Sequence, residues 1–178
     1  MDITELNELV RTHGKAIYGF CHKLAKNKND ADDLYQETFL KAMELYHKID
    51  NGNNPKGFLI SIAVRQWKNN RRKYARRNRL APIEELNEYL GSNIISKEMS
   101  PDSIVISNEL RNTLQTAADK LNDKLRIPLY MYYTAGMSNE EISIALKIPE
   151  GTVKSRLFKA RKTLKNILEV EFEEYAKI

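Results

Sequence analysis

The chain has 178 residues, 42% hydrophobic and 30% charged, with 29 Lys and Arg against 24 Asp and Glu, three His and one Cys. That length fits one ordinary domain or two small ones and excludes a large multidomain enzyme, and the hydrophobic share suits small helical units and excludes a wholly disordered chain. A lone Cys21 cannot close an internal disulfide, no cationic apolar leader opens the chain, and the longest candidate span, Leu59 to Val64 with Ser61 inside it, falls far short of the roughly 18–20 residues that cross a bilayer; a cytoplasmic protein is expected.

Apolar residues recur at helical rather than alternating spacing, which predicts an all-α fold. The first segment predicts one helix, or two with a bend at Gly14, burying Leu6, Leu9, Val10, Ile17, Phe20 and Leu24. Asn29 or Asp30 is the expected cap of the next helix, with Asp32 and Asp33 in the first turn where the macrodipole favours acids. Along it Ala31, Tyr35, Phe39, Ala42 and Tyr46 share one inward face. Asp50-Asn-Gly-Asn-Asn-Pro55 is a turn-rich break, and Pro55 suits the start of a third helix running to about Arg77.

Residues 81–106 hold Pro82, Gly91 and Pro101 and an excess of acids, and read as a flexible tether between domains at 1–80 and 107–178. Helical spacing resumes with Leu110, Leu114, Ala117 and Leu121, then Leu125, Leu129 and Tyr132, with Gly136 placed to end the helix in a left-handed conformation. Ser138 to Glu141 has the pattern of a capping box and opens a short helix, Asn139 to Leu146. Lys147 to Gly151 interrupts it before a last helix to about Glu169.

Two stretches carry functional signals. A short capped helix, a turn and a longer basic helix predict a helix-turn-helix, with Ile142, Ala145 and Leu146 packing on Val153, Leu157 and Ala160. Thr152, Lys154, Ser155, Phe158 and Lys159 are then left outward to meet bases and phosphates, with Arg156, Arg161 and Lys162 nearby. Phe158 is either an ordinary core residue or a contact for a thymine methyl, and Arg156 either braces the helix or reaches a phosphate. The other stretch is the third helix, where seven Lys and Arg and no acid lie between Lys68 and Arg79. Arg65, Lys68, Arg72, Arg76 and Arg79 fall on one stripe that can follow a phosphate backbone. Trp67 and Tyr74 read as core or as stacking platforms for unpaired bases.

Catalysis has little support, since Asp30, Asp32 and Asp33 are explained by capping and the dipole and no metal or phosphate motif is present. His13, His22 and His47 are scattered, so no metal, cofactor or small-molecule substrate is expected.

Three segments together resemble the extracytoplasmic-function type of bacterial sigma factor. Asp30-Ala-Asp-Asp-Leu-Tyr-Gln-Glu-Thr-Phe-Leu40 is similar to the family's D-A-E-D-L-x-Q-E-T-F-L, and Pro55-Lys-Gly-Phe-Leu-Ile-Ser-Ile-Ala63 to P-x-x-W-L-x-x-I-A. Gly151-Thr-Val-Lys-Ser-Arg-Leu-Phe-Lys-Ala-Arg161 is similar to G-T-V-x-S-R-L-x-R-A-R. The resemblance implies a region 2 helical bundle at 1–80 and a region 4 helix-turn-helix at 107–178. It gives Asp33, Gln36, Glu37 and Leu40 the docking of core RNA polymerase at the β′ clamp helices, with further contact to the β subunit. It gives Asn51, Asn53 and Asn54, with Arg65, Trp67, Lys68, Asn69, Arg72 and Arg76, the −10 element. Thr152, Lys154, Ser155, Arg156, Phe158, Lys159, Arg161 and Lys162 fall to the −35 element, and a membrane-bound anti-sigma factor is implied as a partner. Phe58 stands where the family usually has Trp, Arg65 where it often has Asn, Asn69 where it often has Asp, and Ser143 where it often has Ala. The competing reading is a stand-alone helix-turn-helix repressor or activator, which would bind duplex promoter DNA without polymerase.

Overall fold

A computed structural model describes residues 3–25, 27–45, 54–80 and 111–175. Every regular element among them is a helix: α1 (Ile3–Leu24), α2 (Lys28–Glu44) and α3 (Pro55–Leu80), then α4 (111–119), α5 (Asp123–Tyr133), α6 (Asn139–Leu146) and α7 (Glu150–Tyr175). The expected tether at 81–106, Leu110, Tyr46 and the side chain of Leu6 lie outside the described residues.

α1 continues through Gly14 as one helix, the first of the two forms that its sequence allowed. A Cβ there would stand 2.9 Å from the Tyr35 hydroxyl, so this glycine lets α2 pass close to α1. Ile17, Phe20, Cys21 and Leu24 are buried on α1, while Val10, expected inside, lies partly at the surface. The cap of α2 is Asn27, not Asn29 or Asp30: its side-chain oxygen accepts from the Asp30 amide at 2.8 Å, and Asn29 and Asp30 are already helical. Ala31, Leu34, Phe39 and Ala42 are buried on α2, and Tyr35 of α2 makes edge-on contacts with Tyr18 of α1 at 5.6 Å and with Phe39 of its own helix at 5.0 Å. Thr38 is buried, and its hydroxyl donates to the Leu34 carbonyl at 2.6 Å.

Asn54 caps α3, accepting from the Gly57 amide at 2.8 Å, and Pro55 takes the first helical position, where no amide hydrogen is required. The first half of α3 is core, with Leu59, Ile60, Ile62, Ala63, Val64 and Trp67 buried; beyond Trp67 the helix runs out over the surface.

In the second half, Asn122 caps α5 by accepting from the Leu125 amide at 3.2 Å, and Gly136 ends the descent from α5 with φ +62°. The Ser138–Glu141 capping box forms as expected, since Ser138 Oγ accepts from the Glu141 amide and the Glu141 carboxylate from the Ser138 amide. The turn between α6 and α7 is shorter than the sequence suggested. Lys147 takes a left-handed conformation (φ 54°) and α7 starts at Glu150, so Gly151 lies inside the helix.

The buried residues of both halves form one continuous core, with α3 packed on α6 and α1 on α5. Two small helical domains were expected and both form; the structure adds that they share a core. The apolar faces that meet between the halves have the same helical period as faces that meet within a half, so periodicity alone cannot tell them apart.

Candidate nucleic-acid and partner interfaces

The helix-turn-helix is held by apolar and polar contacts together. Ile142 on α6 and Val153, Leu157 and Ala160 on α7 are buried, as their spacing predicted. Ser143, which stands where Ala is common, donates from its hydroxyl to the Ile148 carbonyl at 2.7 Å and so fastens the turn across its base. On the opposite side of α7, Lys154, Ser155, Phe158, Lys159, Arg161 and Lys162 are exposed and Thr152 is half-buried. Phe158, at 63% exposure, is not a core residue. Lys154 pairs with Glu150 one turn earlier at 2.8 Å, an exposed contact that leaves the ammonium group accessible. Arg156 is half-buried in the wall of an open groove of about 460 Å³, together with Thr152, Ser155 and Lys159 from α7. The facing wall is Asn122, Lys124 and Leu125. Nothing in the sequence linked these three to α7, because they stand far earlier in the chain, at a separate turn.

The basic part of α3 divides by burial. Arg65, Lys68, Arg72 and Arg76 are exposed and Asn69 is half-buried, so the stripe presents its cations to solvent. Trp67 is a correction to the stacking-platform reading, since it is 8% exposed and its Nε1 donates to the Leu24 carbonyl at 3.1 Å. That bond satisfies a carbonyl at the end of α1. The guanidinium groups of Arg71 and Arg126 lie over its ring at 4.9 and 5.4 Å, where an unpaired base would have to stack. Tyr74, by contrast, is 44% exposed. Of the loop asparagines, Asn51 and Asn53 lie outside the described residues. Asn54 is half-buried with φ 58°, a conformation that Asn tolerates better than most residues, and its amide donates to the Glu141 carboxylate of α6.

On α2, Asp33, Gln36, Glu37 and Leu40 fall at helical spacing on one face. Asp33 and Gln36 are exposed, Leu40 is 61% exposed, and Met43 extends the same side. Glu37 is half-buried and accepts from the Asn70 amide of α3 at 2.9 Å. The opposite side of α2 is core. This is a mixed polar and apolar strip of the kind that a partner helix can cover.

Burial shapes several titratable groups away from these surfaces. Burial pushes the Cys21 thiol up to about 12, which makes it inert. Burial, with Lys56 beside one and Lys23 beside the other, holds His13 and His22 below the ordinary histidine range. Tyr130 is raised by burial and by Asp119, within a network in which Gln115 and Arg126 also meet Asp119. Among the described residues no group of three His, Cys, Asp or Glu is placed to hold a metal ion, and no helix is long and apolar enough to cross a membrane.

Residues 9–77 match the family described as Sigma-70 region 2, and residues 111–164 match Sigma-70, region 4. The chain is 32% identical over 165 residues to the ECF RNA polymerase sigma factor SigW of Bacillus subtilis strain 168, covering 90% of this chain and 87% of that protein. It is 32% identical over 142 residues to the ECF RNA polymerase sigma-E factor of Escherichia coli K12, covering 77% and 73%. The fold is also similar to that of the sigma factor RpoE solved in complex with the anti-sigma factor NepR from Bartonella quintana, with a TM-score of 0.78 at 21% identity over 94% of this chain and 99% of that one.

Proposed function

The chain belongs to the extracytoplasmic-function sigma factors of the sigma-70 family, and on that premise we propose that it binds core RNA polymerase in the cytoplasm and directs initiation at promoters carrying its own −10 and −35 elements. Such factors are DNA-binding regulators rather than enzymes, and in this reading the chain supplies no catalytic group. Its work is recognition.

The observation that carries the reading is the pair of exposed basic surfaces on two different supports. Domain 1–80 uses α2 for polymerase, through Asp33, Gln36, Glu37 and Leu40, and the α3 stripe for the −10 strand, through Arg65, Lys68, Asn69, Arg72 and Arg76. Asn51, Asn53 and Asn54 complete that −10 set. Trp67 serves it from within the core by fixing α3 against the end of α1. Domain 107–178 lays the first turns of α7 in the major groove, where Lys154, Ser155, Phe158 and Lys159 reach base edges and Thr152, Arg156, Arg161 and Lys162 hold the backbone. The stretch 81–106 connects them. An anti-sigma factor is a further partner in this reading, supported by the likeness to a sigma factor solved with one.

The test is promoter binding with and without core polymerase. Sequence-specific binding that requires core is the expected result; tight, specific binding to duplex promoter by the chain alone would instead identify a stand-alone regulator.

A further inference from the structure

The first turn of α5 stands between two open grooves. On one side Asn122 and Lys124 wall the groove of about 460 Å³ that Thr152, Ser155, Arg156 and Lys159 of α7 complete. On the other, Asp123 closes a groove of about 330 Å³ lined from α3 by Trp67, Lys68, Arg71, Arg72 and Ala75. Asn122 and Asp123 are consecutive, so the grooves adjoin within one residue step of about 3.8 Å. Across both, six lining residues are Lys or Arg and one is acidic. That acid, Asp123, is already matched by Arg71 and, at 3.0 Å, by Arg126, and so adds little repulsion. Lys68, Arg71, Arg72, Lys124 and Lys159 are exposed. The core that runs through both halves fixes α3, α5 and α7 relative to one another, which makes this basic tract a standing feature of the free chain.

We propose that the tract binds single-stranded RNA, one strand passing from α3 over Lys124 to α7, in the absence of polymerase. The inference goes beyond promoter recognition and does not depend on it. Shape selects a single strand: a DNA duplex keeps its direction over about 50 nm and cannot bend across one helical turn into a second groove, whereas an unpaired strand can turn at each nucleotide. Chemistry selects RNA. Lys and Arg neutralise the phosphates, while the Asn122 amide and the Thr152 and Ser155 hydroxyls line the same α7 groove as partners for a 2′-hydroxyl, which both donates and accepts. Asn122 keeps its amide nitrogen for this, since its side-chain oxygen accepts from the Leu125 amide at 3.2 Å. Stacking adds little, because the Trp67 ring lies under Arg71 and Arg126, and recognition is therefore independent of base sequence. RNA held here covers Ser155 and Lys159 and so excludes a −35 duplex from α7.

The full-length chain without polymerase tests this by fluorescence anisotropy with a labelled uridine strand of about 12 nucleotides, within the usual range of single-strand site sizes. One strand should bind per chain, and the five exposed cations should give a slope of log affinity against log salt of about −3.5. Lys124→Glu should weaken binding about fivefold relative to Lys15→Glu, the same charge change at an exposed site on α1. An acid in the first turn of α5 suits the helix dipole, so the variant keeps its fold, as circular dichroism would show. Equal affinity of the two variants overturns the tract, as does a duplex of the same length that binds as tightly as the single strand. A deoxyuridine strand that binds as tightly overturns the assignment to RNA. With 4-thiouridine placed at one end or the other, photo-crosslinks should between them reach both α3 and α7; crosslinks confined to one helix, or two strands per chain, overturn the crossing. If the chain fails to initiate with core polymerase, the sigma-factor reading falls while these binding results stand.

Discussion

α3 and α7 are both 26-residue helices rich in Lys and Arg, yet they are supported in opposite ways. α7 is clamped along the turns that carry its outward cations, because Val153, Leu157 and Ala160 are buried beneath Lys154, Phe158 and Lys159. The apolar burial of α3 ends at Trp67, with polar contacts from Asn70 and Arg71 just beyond it, and most of its cations lie past Trp67 on exposed helix. The difference matches what each surface is proposed to read. Base edges are distinguished by hydrogen bonds whose geometry must be fixed, a demand that apolar burial beneath the contacting turns suits. An unpaired strand is held by charge, which tolerates a looser support.

The sharpest way to break the comparison is to remove the clamp under α7. Leu157, 2% exposed, should cost about 2–5 kcal/mol of stability when changed to Ala, and should abolish −35 recognition with it. Urea unfolding followed by circular dichroism measures the first and promoter binding the second. Arg72→Ala, on the exposed part of α3, should leave the unfolding midpoint unchanged.

Next in size are the readers themselves. Lys154→Ala and Lys159→Ala should each change the preferred −35 sequence by about 1–3 kcal/mol at the base concerned, whereas Lys162→Ala should weaken all sequences alike. A promoter-library transcription assay separates these outcomes, and an unchanged ranking in the Lys154 and Lys159 variants would mean that α7 positions the protein without reading.

On α3 the comparison is sharpened by salt. Arg72→Ala with Arg76→Ala should reduce the slope of log affinity for the −10 strand against log salt by about 0.7 for each phosphate no longer neutralised. Titration of holoenzyme against a single-stranded oligonucleotide at several ionic strengths gives that slope directly. An unaltered slope would remove both residues from the set that meets the backbone.

The smallest expected effect is at the α6–α7 turn. Ser143→Ala removes the bond to the Ile148 carbonyl and should cost about 1 kcal/mol, read as a lower urea midpoint with no change in −35 ranking. A larger loss would show that this hydroxyl sets the angle between the two helices.

Much of the fold and of the site could be read from single segments. The capping box at Ser138, the turn at Gly136, the limits of α6 and the buried triplet of α7 depend on residues close to one another in the chain, and all took the expected form. Phe158 was harder, because a single aromatic on a mixed face has no local signal for inside or outside. Trp67 shows the reverse difficulty. Its position beside the basic stripe suggested a role in stacking, but the Leu24 carbonyl and the Arg126 guanidinium that claim it come from distant segments.

The sequence by itself determined the helical class, the order of the helices, the limits of α6, the two basic surfaces and the family. Those features follow from backbone hydrogen bonding and side-chain period, which act over one or two turns. The tertiary structure alone decided that α1 runs unbroken through Gly14 with the Tyr35 hydroxyl against it, that Trp67 is core, and that Lys124 lines a groove with α7. It also decided that Asp123 and Glu141 meet the donors of the other half. Each of these is a pairing between surfaces far apart in the chain, where many partners satisfy the same period and charge and only the packed geometry selects one.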